Sequence, residues 1–294
     1  MLPVLIAGAG FSGGRLAAQL HAAGVPVITT RSRPPETTTP WPTIVAPLGG
    51  DPELADLRAA LSRAPQWRVV CTVPPDPALS DSGAVEPRLD ALLNAVGKRA
   101  ERVIYASTTG VYGDHGGDWV TETAAVAPRT RRAKARVAAE KTLARWAEQH
   151  LSRTTVLRIV GIYGPGRLPL ENLREGIATL DDQSSGPGNR IHVDDLVRCY
   201  RAALDHPAPP PIVNCSDGDH RSTTEFQRDV AALAQLPPPQ TVDLATARQT
   251  FSPMRLSFLE ESRRIDNALM RHELGVTLAY ADPRDGIRAS LATD

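Results

Sequence analysis

Gly8, Gly10 and Gly13 of "GAGFSG" stand in G-x-G-x-x-G spacing directly after the apolar run "LPVLIA". In such a loop the first glycine permits a tight turn, the second lets a pyrophosphate approach the backbone, and the third lets helix and strand pack closely. The N-terminus of the following helix then faces the phosphates. Gly8, Gly10, Phe11, Ser12 and Gly13 are therefore expected to bind a dinucleotide. Arg31, Ser32 and Arg33 follow the next apolar run, "VPVITT", where an acid would accept from a ribose 2′-hydroxyl. Two guanidiniums and a hydroxyl suit a 2′-phosphate instead, so the expected cofactor is NADP, with NAD the alternative. Thr72, at the end of "WRVVCT", is assigned to the same cleft.

A third group is less easily read. "RTRRAKARVAAE", Arg129 to Glu140, places five cations in its first eight residues. A nucleic-acid patch, a solvated helix face and a remodelled catalytic helix all fit that composition.

The elements that must position these residues alternate regularly. Strands are expected at "LPVLIAG", "VPVITT", "TIVAPL", "WRVVCTV", "RVIYAS", "TTVLRIV" and "PPIVNCS". Helices are expected at "SGGRLAAQLHAAG", "PELADLRAALSRA", "VEPRLDALLNAVGKRA", the basic stretch to about His150, and "HVDDLVRCYRAALDH". Short apolar strands alternating with helices predict an α/β fold, a Rossmann-type doubly wound parallel sheet with helices on both faces. Regularity fades after Gly164, and a smaller helical segment follows Ser222. The expected organisation is a dinucleotide-binding domain over 1–165, with 189–220 returning to it, and a smaller substrate-side domain from 166–188 and 221–294.

Composition narrows the partners. The 294 residues carry 33 basic and 33 acidic side chains, so no net field favours nucleic acid or an anionic membrane. Cys71, Cys199 and Cys215 lack CxxC spacing and read as thiols of a reducing compartment, with no metal site. No run reaches the roughly 18 apolar residues of a membrane span. A cytoplasmic location is expected, with a small-molecule substrate as partner, neither nucleic acid nor membrane, and room for a homodimer.

With the glycine loop, "YASTTGVYGDHGGDWVTE" resembles the extended or atypical short-chain dehydrogenase/reductases, specifically the NAD-dependent epimerase/dehydratase superfamily. "LRIVGIYGPG", "NRIHVDD" and "SRRIDNALMRHELG" resemble later segments of that group in the same order. The resemblance implies that Thr108 binds a substrate oxygen. It also implies a Tyr-x-x-x-Lys pair on the next helix, and this chain has none: no tyrosine has a lysine four residues on, and the lysines are Lys98, Lys134 and Lys141. Anchoring on Glu140, so that "RVAAE" takes the place of the usual "KLAAE", puts Arg136 at the lysine position and Arg132 at the tyrosine position. Anchoring on Lys134 would put Thr130 there instead. In the first register Arg136 reaches the nicotinamide ribose, whereas Arg129, Arg131 and Lys134 face solvent. Arg132 cannot donate a proton at neutral pH, because guanidinium stays charged.

The acid/base role then falls to Tyr112, Tyr163 or water. Arg167 is expected to anchor an anionic substrate, and His192 is kept with it on the substrate side, although helix-start scaffolding also explains it. His115 reads as a loop residue, and Arg255, Arg263 and Arg264 either line the same cleft or, for most of them, cover the surface. The expected function is an NADP(H)-dependent oxidoreductase or epimerase-like enzyme acting on a carbonyl or hydroxyl of a small, sugar-derived or other, molecule. The alternative is a non-catalytic NADP-binding redox sensor or regulator with a degenerate site.

Overall fold

The structure, a computed structural model, describes residues 1–48, 54–76, 78, 85–253, 255–256 and 261–293. Its centre is a seven-stranded sheet made of β1 (Val4–Ala7), β2 (Val27–Arg31), β3 (Thr43–Val45), β4 (Trp67–Cys71), β5 (Ala100–Thr108), β7 (Arg153–Ile159) and β11 (Ile212–Cys215). The spatial order is β11-β7-β5-β4-β1-β2-β3, and every pairing is parallel. The chain builds outward from β1 to β3, then returns to place β4 on β1's other side. That reversal opens a crevice at the carboxyl ends of β1 and β4, where doubly wound sheets bind their ligands.

Both sheet faces are covered, so the strands are apolar on both sides. Val4 and Ile6 point to one face, packed with α1 (Phe11–Ala22) and α6 (Val193–Asp205) through Leu16, Leu20 and Leu196. Leu5 and Ala7 point to the other, packed with α2 (Ala55–Leu61), α3 (Pro87–Val96) and α4 (Arg131–His150) through Leu57, Leu92 and Leu143. Residues 52–53, which begin the expected second helix, lie outside the described residues.

Helix α4 has few large apolar side chains. It buries Ala133, Ala135, Ala138 and Ala139, whose small size lets the helix lie close to β5 and β7. Thr130 caps it by accepting from the Ala133 N–H at 3.1 Å, and Leu151 ends it in a left-handed conformation.

Short parallel pairings gather the remaining segments over the carboxyl edge of the sheet. β6 (Trp119–Val120) pairs with β13 (Arg264–Ile265), β8 (Gly161–Tyr163) with β10 (Arg190–His192), and β9 (Thr179–Leu180) with β12 (Thr241–Val242). Helix α7 (Thr223–Leu233) starts with a full capping box between Ser222 and Glu225. It shares a small apolar cluster of Tyr163, Leu173, Phe226, Val230 and Ile287.

Candidate functional site

Two adjoining cavities lie at the carboxyl ends of the strands. The first, about 690 Å³, is lined by Gly8, Gly10, Phe11, Ser12, Thr30, Arg31, Ser32, Arg33, Thr72 and Arg136, among others. Gly8 has φ +95°, and a Cβ there would strike Thr72 and the Val73 backbone. A Cβ on Gly13 would drive into the Gly8 carbonyl. Gly10 differs, since a Cβ there would meet nothing within 4 Å and would project into open space. Helix α1 has neither a capping side chain nor an acid in its first turn, leaving its N-terminus available to an anion. Thr72 holds the loop by donating from its hydroxyl to the Gly8 carbonyl. The open wall at Gly10 and the uncapped helix fit a dinucleotide pyrophosphate.

Arg31, Ser32 and Arg33 lie at the other end of this cavity, together with a residue that sequence reasoning passed over. Glu36, exposed in the loop after β2, also lines it. Its distance from the strand end gave no signal.

The second cavity, about 670 Å³, shares Pro74 and Arg136 with the first. Thr108, Thr109 and Gly110 at the end of β5 form one wall, and Thr130, Arg132, Ala133 and Arg136 of α4 another. The Thr108 hydroxyl oxygen accepts from the Gly110 N–H at 3.2 Å, which leaves its proton to be donated elsewhere.

The basic helix is set in register by a buried ion pair. Arg158 of β7 donates to both Glu140 oxygens, at 3.3 and 2.8 Å, and the Ser107 hydroxyl bonds the same carboxylate. One turn earlier, Arg136 donates to the Tyr105 hydroxyl at 3.0 Å and the Ala106 carbonyl at 2.6 Å, which places its guanidinium between the two cavities. Arg132 follows on the same face, whereas Lys134 is absent from both linings. Arg131 is exposed, and Arg129 pairs with Asp114 at 3.5 Å. The helix thus presents two of its cations to the cavities and the others elsewhere.

Four sequence expectations need correction. Tyr112 is completely buried and donates to Asn214 Oδ1 at 2.8 Å, beneath the Arg158 guanidinium. Tyr163 is 3% exposed and packs edge-on against His192 and Phe226 in the small cluster. Burial pushes the pKa of both phenols upward, and neither lines either of these two cavities, which takes both out of reach of a ligand there. Arg167 stacks 4.0 Å over the Phe11 ring and lines the first cavity, not the second. His192 is buried at 1% exposure, accepts from the Asp194 N–H at 3.2 Å as the cap of α6, and touches neither cavity. The His115 loop is anchored, its backbone N–H bonding the Ser262 carbonyl at 2.9 Å.

Of the three arginines left between cleft and surface, Arg263 faces the cleft. It lines the second cavity with Glu261, to which it pairs at 2.9 Å, while Arg255 and Arg264 bond the carbonyls of Ala178 and Gly117. Arg88, Asn189 and Arg190 complete the polar lining. The β6–β13 pairing and the bonds of Ser262 and Arg263 to the loop before β6 bring Glu261 and Arg263 to a wall built about 150 residues earlier, and no local pattern announces it.

A parallel doubly wound sheet with a glycine-loop crevice and an adjoining second cavity defines a dinucleotide-binding α/β protein. Residues 88–216 match the NAD dependent epimerase/dehydratase family. The chain belongs to that family. Protein YeeZ of Escherichia coli K12 is 30% identical over 202 residues, 68% of this chain and 65% of YeeZ, so the match spans a little under two thirds of that relative. A functionally unknown conserved protein of Silicibacter pomeroyi is 30% identical with a TM-score of 0.83, covering 100% of this chain and 99% of that one. UDP-glucose 4-epimerase of Thermus thermophilus, solved as a complex with NAD, shares the fold at 21% identity and a TM-score of 0.77, covering 99% of this chain and 98% of its own. No described helix is long and apolar enough to cross a membrane.

Proposed function

We propose that the chain is an NADP(H)-dependent oxidoreductase or epimerase-like enzyme that acts on a carbonyl or hydroxyl carbon of a small molecule. One observation carries the reading: Arg136 borders both cavities and lines the second together with Thr108, which supports a role for it at the nicotinamide ribose. Gly10 and the N-terminus of α1 would hold the pyrophosphate, Arg31 and Arg33 the 2′-phosphate, and Arg136 the nicotinamide ribose. A nicotinamide cofactor, when bound, supplies or accepts the hydride. Thr108 donates a hydrogen bond to the substrate oxygen and polarises it, and the Arg136 guanidinium stabilises negative charge that develops there. Water entering the open second cavity would supply the proton when a carbonyl is reduced and take it up when a hydroxyl is oxidised, since that cavity's described lining contains no phenol or ammonium group. The division into a dinucleotide-binding unit and a smaller substrate-side unit belongs to the same proposal.

The missing phenol and ammonium also favour a second reading, a non-catalytic NADP-binding sensor. Titration of NADPH and NADH by protein fluorescence, followed by cofactor-consumption assays over carbonyl compounds and sugar nucleotides, separates the two. Tighter NADPH binding with turnover supports the enzyme. Tighter NADPH binding without turnover over the whole panel supports the sensor, and equal or tighter NADH binding refutes the NADP assignment, with Glu36 then the residue to suspect.

A further inference from the structure

We infer that Arg167, on the loop after β8, is a clamp for the cofactor: its guanidinium binds the pyrophosphate that the glycine loop meets only with backbone groups. The inference rests on the dinucleotide reading of the first cavity and holds for NADP and NAD alike.

Position is the first support. Arg167 lines the first cavity together with Gly10, Phe11 and Ser12, and its guanidinium carbon lies 4.0 Å from the centre of the Phe11 ring. Phe11 is the first residue of α1, so the cation stands within one side chain's length of the helix N-terminus that the pyrophosphate would meet. Of the described arginines in this lining, Arg167 is the one stacked on a residue of the glycine loop. Its own loop is wedged in place. Gly164 turns with φ +152°, and the Arg167 N–H bonds the Gly164 carbonyl at 2.9 Å. A Cβ on Gly164 would meet Val193 of α6 at 2.7 Å and the Phe11 ring at 3.5 Å. The arginine therefore extends over α1 from a backbone seated between the two helices.

Charge is the second. Among the described residues the Arg167 guanidinium carries neither a hydrogen bond nor an ion pair, and it rests on the Phe11 face. Contact with a ring face positions the cation without pairing its charge. The first turn of α1 contains no acid, so nothing on the helix competes for the guanidinium. A helix N-terminus supplies only about half a positive charge, whereas a pyrophosphate diester carries two negative ones. A guanidinium adds a full charge and a planar fork that reaches two phosphate oxygens at once. Arg15 serves as the contrast. It lies 4.3 Å from the same ring and bonds the Phe11 carbonyl at 3.2 Å, but it does not line the cavity.

The test titrates NADPH, NADH, ADP and AMP calorimetrically into the intact protein. Arg167→Ala should weaken NADPH and NADH by the same factor, about tenfold or more, because both carry the pyrophosphate. It should also abolish the preference of the unmodified protein for ADP over AMP. Arg167→Met keeps an apolar contact with Phe11 but has no charge, so it should lose as much. Arg167→Lys should recover part of the loss, and Arg15→Ala should change neither readout. Melting temperatures should agree across the variants. Cofactor affinity unmoved by Arg167→Ala, full affinity in Arg167→Met, a loss confined to NADPH, or no preference for ADP over AMP in the unmodified protein overturns the inference. If NADH binds more tightly than NADPH and both still depend on Arg167, the NADP assignment fails and the clamp stands. If the unmodified protein binds neither dinucleotide, the cofactor reading and the clamp fail together.

Discussion

Removing the Glu140 carboxylate should cost more than any surface substitution in the basic helix. Its partner Arg158 has a side chain only 6% exposed, and Glu140 itself only 11%, so truncation to Ala leaves a guanidinium buried without its counter-charge. Breaking a buried pair from one side typically costs about 3–5 kcal/mol. Coulomb's law gives a similar figure, about 4 kcal/mol for charges about 4 Å apart at an effective dielectric of about 20. Total stability is typically only about 5–15 kcal/mol, so Glu140→Ala should remain folded but melt on the order of 10 °C lower. Because Arg136 lies one turn away, loosening α4 should also weaken NADPH binding. Thermal and urea unfolding measure the stability change, and fluorescence titration the affinity. Arg158→Leu added to Glu140→Ala should restore most of the lost stability, since it removes the stranded charge. A Glu140→Ala cost below about 1 kcal/mol, or a double variant no more stable than the single, would refute the claim that this pair fixes the helix.

Three further outcomes are expected. Gly10→Val should keep a folded circular dichroism spectrum, because the added atoms enter open space, yet lose dinucleotide binding; retained affinity would make the loop purely structural. Arg136→Ala should weaken NADPH binding by about 1.5–3 kcal/mol, the range for a hydrogen bond to a charged group, whereas Arg131→Ala should match the unmodified protein, and equal losses would show that the register is wrong. Asp217 is buried with one carboxyl oxygen unpartnered, and burial raises its pKa from 3.8 to about 8. Between those values the unfolded carboxyl is ionised while the folded one holds its proton, so its contribution to stability is lost as pH rises from about 4 to about 8. Asp217→Asn should therefore raise the melting temperature increasingly from pH 5 to pH 9, by up to a few kcal/mol in stability; parallel profiles for the two proteins would contradict this.

The sequence by itself determined the sheet and the glycine loop. Alternating apolar strands and helices are local patterns, and a strand buried on both faces needs only its own residues to declare itself. Gly13 is legible for a similar reason, since its constraint comes from the nearby Gly8 carbonyl, whereas Gly8 is crowded by Thr72 and Val73 after β4, far along the chain. The register of the basic helix came from the likeness of "RVAAE" to the family's "KLAAE", and helix geometry then puts Arg132, Arg136 and Glu140 on one face. The fate of each polar side chain belonged to tertiary structure. Tyr112 and Tyr163 have the right chemistry for proton transfer, and only packing against Asn214 in one case and Phe226 in the other takes them out of reach. Arg263 and Glu261 entered the site through a two-residue strand pairing with a segment far away in the chain. A side chain's type limits what it can do, but its access to a ligand depends on which distant segments cover it, and that is settled only when the chain folds.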